Sequence, residues 1–395
     1  MTRRRVGVYD LYWSTMGGGE QVAGTLAQVL ADDHDVTLFG PQAPDVDALR
    51  RRLGFDLSRC DFRRVTDDDE ASRASADVDL FVNGTYLSTA VNRAPEAWYY
   101  VHFPGTVPTL GDRARHRTAD LAVRRLARVE GRLARVRDSF ERRQPQRDHL
   151  ATYGRYLANS TYTAHWVERL WGVRCEVLWP PVRVQVASPV AGKRPVILVL
   201  GRFFDPAYGH SKKQHELFDA FVNLRRRGLL EGWDLALAGG ADAANRDYVL
   251  DLKRHVRALP DGVHAELHVN ASGATVQRLL GEASLLWHAA GLGEDPERHP
   301  ERFEHFGIAV VEAMAAGAVP MVFGAAGPAE VVRPGLDGLH WSTLDELERL
   351  TATLVADPVQ RAAMADSGRR RALDFSVEVF AQRVRALASS PGVPG

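Results

Sequence analysis

The feature of this sequence that most constrains its fold is an alternation of short apolar runs with helical segments, which occurs twice along the chain. In the first half, apolar runs such as VGVYD, DVTLFG and AWYYVHFPG alternate with segments of helical periodicity. The alternation stops in a proline-rich stretch near residues 180–195 and begins again with VILVLGRFF. Strands that alternate with helices favour parallel sheets, so we predict two α/β domains in tandem.

The length of the chain agrees with this division, because 395 residues are too many for one ordinary core. We place the first domain at residues 1–185 and the second at residues 186–375, followed by a helix at 376–395. The strands predicted for the second domain are VILVLGRFF, DLALAGG, AELHVN, SLLWHAA, VPMVFG, GPAEVV and GLHW.

Composition excludes several classes of protein. Lysine plus arginine and aspartate plus glutamate both number 50, so net charge indicates no partner. Cys60 and Cys175 form no CxxC pair and no zinc pattern. The arginines at the N-terminus precede no long apolar stretch, and no window of about 20 apolar residues exists. We therefore expect a cytoplasmic protein whose only membrane contact would be at its surface.

Residues 113–147 differ from the rest of the chain, since they hold twelve arginines and few acidic residues. The apolar residues at helical spacing in this segment are Leu121, Leu126, Val129, Leu133 and Val136. The segment fits a solvated basic helix, or a surface for anionic lipid or a phosphorylated acceptor. Nucleic acid is disfavoured, because no aromatic residues are interleaved with the charges.

Two stretches place glycines or cations directly after predicted strands, where open parallel sheets bind ligands. In MGGGE, Gly18 and Gly19 open a helix and allow close approach of an anion. A flexible turn at the start of a helix is the alternative, because it would have the same sequence pattern. In GRFFDPAYGHSKKQ, Arg202 follows a strand, and Lys212 and Lys213 open the next helix. These cations fit a diphosphate clamp, and solvated surface charge is the alternative.

A third stretch, EHFGIAVVEAMAAG, puts Glu304 and Glu312 on both sides of an apolar run. We predict a helix that begins near Gly307, with Glu304 in the preceding loop and Glu312 about one and a half turns inside. Both acids would then face the cleft, where a carboxylate can accept bonds from two sugar hydroxyls. Glu312 as an ordinary exposed helix residue is the alternative. The residues predicted to face the core are Phe306, Ile308, Val310 and Val311.

This last stretch resembles the E-x7-E motif of the family 4 retaining glycosyltransferases, which have the GT-B fold of two Rossmann-like domains facing across a cleft. The resemblance extends over about residues 5 to 385. As a set, the motifs are most similar to those of α-1,2-mannosyltransferases. The other stretches that carry it, in the family's order, are MGGGE, YYVHFPG, ANSTYTAHWV, LWPPV, GRFF with KKQHELFDAF, and AGPAEVV.

The resemblance implies that the chain moves a hexose, with mannose as one option, from a nucleoside-diphosphate sugar to a hydroxyl with retention. It implies no metal or other cofactor, a metal-independent clamp, and a last helix that crosses back to the first domain. The DDD run at residues 67–69 is expected to be solvated. The acceptors consistent with the resemblance are sugars, lipid-linked sugars and natural products. Peripheral membrane contact through residues 113–147 stays open, and no nucleic-acid partner is expected.

The resemblance implies that the first domain binds the acceptor and that the second binds the nucleotide sugar. It also implies roles for individual residues. Arg202 and Lys212 would hold the donor diphosphate, with Lys213 as the alternative to Lys212. Glu312 would bind the ribose hydroxyls. The remaining implied positions are Glu304, His305, Phe306 and Gly307 at the transferred sugar and its phosphate, His102 near the sugar, and Gly18 and Gly19 near the phosphates.

The chain also departs from the family pattern. The stretch GLGEDPERHPERF before Glu304 is longer and more charged than the family's linker, and we expect a lid or an acceptor contact there. Competing functions are a GT-B sugar-nucleotide epimerase or hydrolase that needs no acceptor, and a binding module without catalysis. A dinucleotide oxidoreductase is disfavoured because the GxGxxG fingerprint is missing.

Overall fold

The computed structural model describes residues 3–15, 17–105, 149–184 and 192–390. The arginine-rich segment 113–147, for which we predicted a basic helix, lies outside these ranges. None of the described helices combines the length and the apolar character needed to cross a membrane.

The first lobe contains a seven-stranded parallel sheet in the order β3-β2-β1-β4-β5-β6-β7. Its strands are β1 (Arg5–Tyr9), β2 (Asp35–Gly40), β3 (Asp61–Arg64), β4 (Leu80–Asn83), β5 (Glu96–Val101), β6 (Arg155–Ala158) and β7 (Glu176–Val177). Its helices are α1 (Gly18–Leu30), α2 (Val46–Leu53), α3 (Asp68–Ala74) and α4 (Thr161–Trp171).

The central strands of this sheet are apolar because both of their faces are buried. On β5, Trp98 and Tyr100 enter the core on one side of the sheet, whereas Tyr99 and Val101 enter the core on the other side. The AWYYVHFPG run therefore contains a buried strand, as predicted.

The second lobe contains a six-stranded parallel sheet in the order β10-β9-β8-β11-β12-β13. Its strands are β8 (Arg194–Leu200), β9 (Asp234–Gly239), β10 (Ala265–Val269), β11 (Ala283–His288), β12 (Val319–Phe323) and β13 (Leu339–Trp341). Its helices are α5 (Gln214–Arg226), α6 (Arg246–Arg257), α7 (Gly273–Glu282), α8 (Ile308–Ala316), α9 (Ala326–Val331), α10 (Leu344–Ala356) and α11 (Pro358–Ala372).

One predicted strand is wrong. The GPAEVV segment lies in helix α9, because Pro328 fits the first turn of a helix and Gly327 allows a very close approach to a neighbouring loop. A Cβ at Gly327 would lie 2.3 Å from the Cα of Phe306, so only glycine fits here.

The last helix, α12 (Val377–Ser389), packs against the first lobe. Phe380, Ala381 and Val384 are buried in the same hydrophobic cluster as residues of α1 and β1. The chain thus returns to the first lobe after completing the second. The exact domain boundaries stay a prediction.

The two sheets present the carboxyl ends of their strands to the space between the lobes. Asp10 follows β1, Gly84 follows β4, His102 follows β5, Asn159 follows β6 and Gly201 follows β8, and all five line one cleft. Parallel sheets place their ligand sites at this edge, so the cleft is where functional side chains are expected.

Candidate active site

A cleft of about 560 Å³ lies between the lobes. Of the eleven residues predicted for the site, nine line it: Gly18, Gly19, His102, Arg202, Lys212, Glu304, His305, Phe306 and Gly307. The two that do not are Lys213 and Glu312. The structure therefore brings together most of the residues that sequence reasoning selected, from both lobes.

Glu304 is the centre of a buried charge cluster in the cleft. Its Oε2 accepts a hydrogen bond from Lys212 Nζ at 2.5 Å and lies 3.2 Å from His288 Nε2. Burial alone would raise the pKa of Glu304, but Lys212 and His288 offset it and hold that pKa well below its usual range. Glu304 is thus ionised, and its Oε1 is the oxygen left for a ligand.

Lys212 also has a second neighbour, His210, which sequence reasoning missed. Lys212 Nζ lies 3.2 Å from His210 Nε2, while His210 Nδ1 bonds the carbonyl of Glu301 at 3.2 Å. Lys212, together with burial, lowers the pKa of His210 to about 4. His210 is therefore neutral, and its Nε2 accepts a bond from the ammonium group.

Lys213 points away from the cleft. Its backbone is left-handed, with a φ of 56°, and its Nζ bonds Glu294 Oε1 at 2.7 Å. Because the two lysines diverge in this way, only Lys212 remains of the two candidates for contact with a ligand in the cleft.

Arg202 is the cation that stays available in the cleft. Within the described ranges its exposed side chain makes no hydrogen bond or ion pair. A Cβ at Gly17 would lie 3.3 Å from its guanidinium, so Arg202 reaches across to the start of α1. Lys212, by contrast, is already neutralised by Glu304.

The N-termini of two helices also face the cleft. Gly18 and Gly19 begin α1, and Gly307 precedes α8, as the sequence predicted. Gly307 has a φ of 103°, a conformation that favours glycine. The first amide groups of each helix have no partner within the helix and carry partial positive charge, so both ends favour an anion.

Ile308 meets the prediction for this helix only in part. Phe306, Val310 and Val311 are buried in the core as expected, whereas Ile308 is partly buried against the same core and also lines the cleft and contacts α1. A Cβ on Gly18 would lie 2.9 Å from Ile308 Cδ1. Ile308 therefore closes the cleft at the point where α1 and α8 meet.

Glu312 lies beyond this contact, in a second cavity of about 530 Å³. Arg183, Gln277 and Glu378 line the same cavity. The prediction that both glutamates face one cleft is thus not met, because Ile308, one turn before Glu312 on the same helix face, separates the two spaces. Burial raises the pKa of Glu312 to about 7, and Arg183 lowers it only in part.

His102 lies at the first-lobe wall of the cleft, where its Nε2 bonds the carbonyl of Gly84 at 2.8 Å. Since a carbonyl only accepts, Nε2 carries the proton. Burial lowers the pKa of His102, so the ring is neutral and Nδ1 carries a lone pair. His102 can accept a hydrogen bond from a ligand, but it is not a cation.

Asp10 is a cleft residue for which no role was predicted. It is 1% exposed; its Oδ1 accepts the amide of Tyr12 at 2.8 Å, and its Oδ2 has no partner among the described residues. Burial and the nearby Glu20 raise its pKa to about 8. Its position directly after β1 was the signal that could have identified it.

Two further groups of titratable residues lie away from the cleft. In the DDD run, Asp67 caps α3 and Asp68 bonds Tyr9 and Ser88, so Asp68 is more than a solvated charge. Within the described ranges, the group with metal-ligand spacing is His215, Asp251 and His255, on α5 and α6. None of these residues lines the cleft.

Comparison with known proteins finds a family model that matches part of the chain. Residues 184–371 match the model of the family described as glycosyl transferases group 1. The matched residues lie almost entirely in the second lobe, which is therefore similar to this family of glycosyltransferases. The predicted enzyme class, glycosyltransferase, is thereby confirmed. The matched residues contain Arg202, Lys212, Glu304 and Glu312.

A relative from Dictyostelium discoideum, a GDP-Man:Man(3)GlcNAc(2)-PP-Dol alpha-1,2-mannosyltransferase, is 28% identical over 241 residues. The match covers 58% of this chain and 45% of the relative, so the chain spans less than half the length of that relative. The corresponding mouse enzyme is 28% identical over 183 residues, covering 44% of this chain and 34% of the relative.

Solved structures confirm the GT-B fold. HepE from Anabaena in complex with UDP has a TM-score of 0.67 at 18% identity, covering 98% of this chain and 99% of that one. WaaG, a glycosyltransferase involved in lipopolysaccharide biosynthesis, has a TM-score of 0.57 at 15% identity, covering 98% and 99%. Identities this low establish the fold alone.

The raised pKa of Glu312 generates a prediction about stability. Between a pH of about 4.5 and about 7 the folded protein keeps a proton on Glu312 that the unfolded chain has lost. The stability associated with Glu312 is therefore present below pH 4.5 and lost as pH rises towards 7. Glu312→Gln should raise the unfolding free energy at pH 8 by about 1–2 kcal/mol relative to wild type, with little gain at pH 4.5.

Urea unfolding at pH 4.5 and pH 8 measures this difference. Glu378→Gln is the matched control, because exposed Glu378 lines the same cavity and should show no such gain. An equal effect of Glu312→Gln at both pH values would contradict the account.

Proposed function

We propose that this glycosyltransferase moves a hexose from a nucleoside-diphosphate sugar to a hydroxyl of a glycan, glycolipid or small-molecule acceptor, with retention at the anomeric carbon. The observation that carries the proposal is the convergence of Arg202, Lys212 and the N-termini of α1 and α8 on one cleft that also holds Glu304. A diphosphate needs positive groups from several directions, and this cleft offers them from both lobes.

The chemistry of the leaving group explains why these cations and helix N-termini would raise the reaction rate. As the bond between sugar and diphosphate breaks, negative charge grows on the phosphate oxygens, and cations already in place stabilise it. Arg202 is free to bind these oxygens directly. Lys212 would share its ammonium group between the phosphate and Glu304, so donor binding would loosen the pair between Lys212 and Glu304.

The sugar would lie against Glu304 and His102. Glu304 Oε1 can accept bonds from sugar hydroxyls, while Oε2 stays with Lys212 and His288. The neutral His102 can accept a further hydroxyl through Nδ1. Retention would follow if the acceptor hydroxyl attacks from the face that the diphosphate leaves, with a phosphate oxygen taking the proton. We assign no protein side chain as the general base.

The donor we propose first is GDP-mannose. Its support comes from the relatives at 28% identity, which are GDP-Man:Man(3)GlcNAc(2)-PP-Dol alpha-1,2-mannosyltransferases. UDP-glucose is the competing donor, because HepE binds it in a fold of the same kind. Glu312 would receive the ribose, which requires the nucleoside to extend past Ile308 into the second cavity.

Arg202 provides the most direct test. Arg202→Ala removes the unpaired cation of the cleft, so release of GDP from GDP-mannose should fall at least 100-fold, about 2.7 kcal/mol of lost transition-state stabilisation. The fold should be unaffected, since the Arg202 side chain is exposed and unpaired. Circular dichroism and the urea midpoint check this point.

Arg174→Ala is the control, because Arg174 has a side chain that is 95% exposed and should leave the rate within about twofold. A near-normal rate for Arg202→Ala would remove Arg202 from the proposed site. GDP and free sugar or an epimer formed equally fast with and without an acceptor would instead favour the hydrolase or epimerase.

We also propose that the reaction needs no metal, because Arg202, Lys212 and two helix ends supply the positive charge that a metal would otherwise bring. Excess EDTA should leave the transfer rate within about twofold. In the same assay, proton NMR of the product should show an α linkage, the configuration of the donor. A rate abolished by EDTA, or a β-linked product, would contradict the respective part of the proposal.

A further inference from the structure

A side chamber of about 450 Å³ adjoins the cleft, and no role has been given to it so far. Its lining residues are Tyr86, Ala207, Gly209, His210, Glu301, Arg302 and His305. Tyr86, His210 and His305 line both the chamber and the cleft, so a molecule in the chamber would lie next to one in the cleft.

The charged stretch at residues 291–303, called the insert below, forms one wall of the chamber. Half-buried Glu294 holds it in place by accepting bonds from Lys213 at 2.7 Å and from Arg302 at 2.9 Å. The first lobe also contacts it, since Tyr162 donates to the carbonyl of Pro300 at 2.9 Å. The insert is therefore a fixed wall that joins both lobes.

Three polar atoms at this wall are buried and have no hydrogen-bond partner among the described residues: Glu301 Oε2, Arg302 Nε and His305 Nε2. The rest of each side chain is held. Glu301 Oε1 lies 3.3 Å from His299 Nδ1, Arg302 bonds Glu294, and the His305 ring stacks on Phe103 at 4.0 Å. Buried polar groups are nearly always bonded, so three unbonded ones around one chamber indicate a polar ligand.

The charges of the chamber select the class of that ligand. Among the lining residues, Glu301 brings one carboxylate and Arg302 brings one guanidinium, which is also paired with Glu294 behind the wall. Both histidines are neutral, because Lys212 together with burial lowers the pKa of His210 to about 4, and burial lowers that of His305 to about 3. The chamber has no excess positive charge, so it disfavours a phosphate and suits a neutral molecule rich in hydroxyls.

Tyr86 completes the chamber from the first lobe. It is 43% exposed, so its ring is accessible to a molecule in the chamber. Burial and the carboxylate of Glu301 raise its pKa, which places the two residues within electrostatic reach of each other. An amphipathic ring opposite hydrogen-bonding groups matches a sugar, which has apolar faces and polar edges.

We propose that the side chamber is the subsite for the acceptor, a neutral hexopyranoside whose hydroxyls bond Glu301, Arg302 and His305 while the reacting hydroxyl enters the cleft. The proposal rests on the proposed function and deepens it by naming the acceptor class and its contacts. It also gives the insert, which departs from the family pattern, the role of a specificity element.

The test uses methyl α-D-mannopyranoside as acceptor and GDP-mannose as donor, with the full chain. Glu301→Gln should raise the KM for the mannoside at least tenfold, because the amide replaces one of the two acceptor oxygens by an NH2 donor and removes the negative charge. The KM for GDP-mannose and the slow release of GDP in water should stay within twofold. Glu297→Gln is the matched control, since it makes the same change on an insert side chain that is 64% exposed. Its one ion pair, with Arg169, is also exposed and contributes little, so none of these values should change.

A second variant guards against a folding defect at Glu301. Ala207 is exposed and lines the chamber, so Ala207→Trp fills the space from a tolerant position. It should abolish saturation-transfer NMR signals from the mannoside while GDP still binds.

The outcomes separate this inference from the proposed function. If wild type releases no nucleoside diphosphate from GDP-mannose or UDP-glucose and binds neither GDP nor UDP, the proposed function fails. If wild type binds GDP but not the mannoside, or if Glu301→Gln behaves like Glu297→Gln, the chamber is not the acceptor subsite. An equal loss in donor and acceptor kinetics would show that Glu301 acts through the donor site, which also overturns the inference.

Discussion

The ion pair between Lys212 and Glu304 joins the two loops from which the cleft of the second lobe is built. It connects the segment after β8 to the segment before α8 across a distance of 2.5 Å, and both side chains are largely buried. Removing two charges from water is costly, and the cost is recovered only when further groups satisfy the remaining atoms. His288 and His210 do this, one at the carboxylate and one at the ammonium group. The pair thereby fixes Glu304 as an ionised acceptor, and of the cleft cations that the structure describes, Arg202 is the one without a partner.

The two lobes meet at a contact that divides the space between them. Ile308 on α8 presses against Gly18 on α1, with the cleft on one side and the Glu312 cavity on the other. A nucleotide sugar bound as proposed would place its sugar and diphosphate in the cleft and its ribose beyond Ile308. The side chamber lies at the Tyr86 and His305 end of the cleft. Donor and acceptor would thus enter the reaction site from different spaces.

Much of this arrangement follows from local sequence patterns. The apolar runs identified the strands, and residues placed directly after them, such as His102 and Arg202, proved to line the cleft because parallel strands end at one edge. Gly307 marked the start of α8 for a local reason, its left-handed backbone. GPAEVV was predicted as a strand because its apolar residues are too few to distinguish a short helix by period.

Other features depend on tertiary contacts that no spacing rule contains. The left-handed backbone of Lys213 turns it towards Glu294, and only the position of the insert makes that contact favourable. Glu312 and Ile308 share one helix face, but which of them borders the cleft is decided by the approach of α1. The raised pKa of Asp10 likewise results from packing around it. The site residues were predictable as a set, whereas their partners and the division into three spaces were not.

The most direct test of the central claim is thermal unfolding of the wild-type protein with GDP, UDP, dTDP, ADP and NAD, each added separately. A ligand at a hundredfold excess over its Kd stabilises the native state by about 2.7 kcal/mol, a shift of a few degrees for a chain of this size. We expect one nucleoside diphosphate, with GDP as the first candidate, to raise the unfolding temperature, and we expect NAD not to raise it. Stabilisation by NAD alone, or by none of the five, would contradict a nucleotide-sugar site in this cleft.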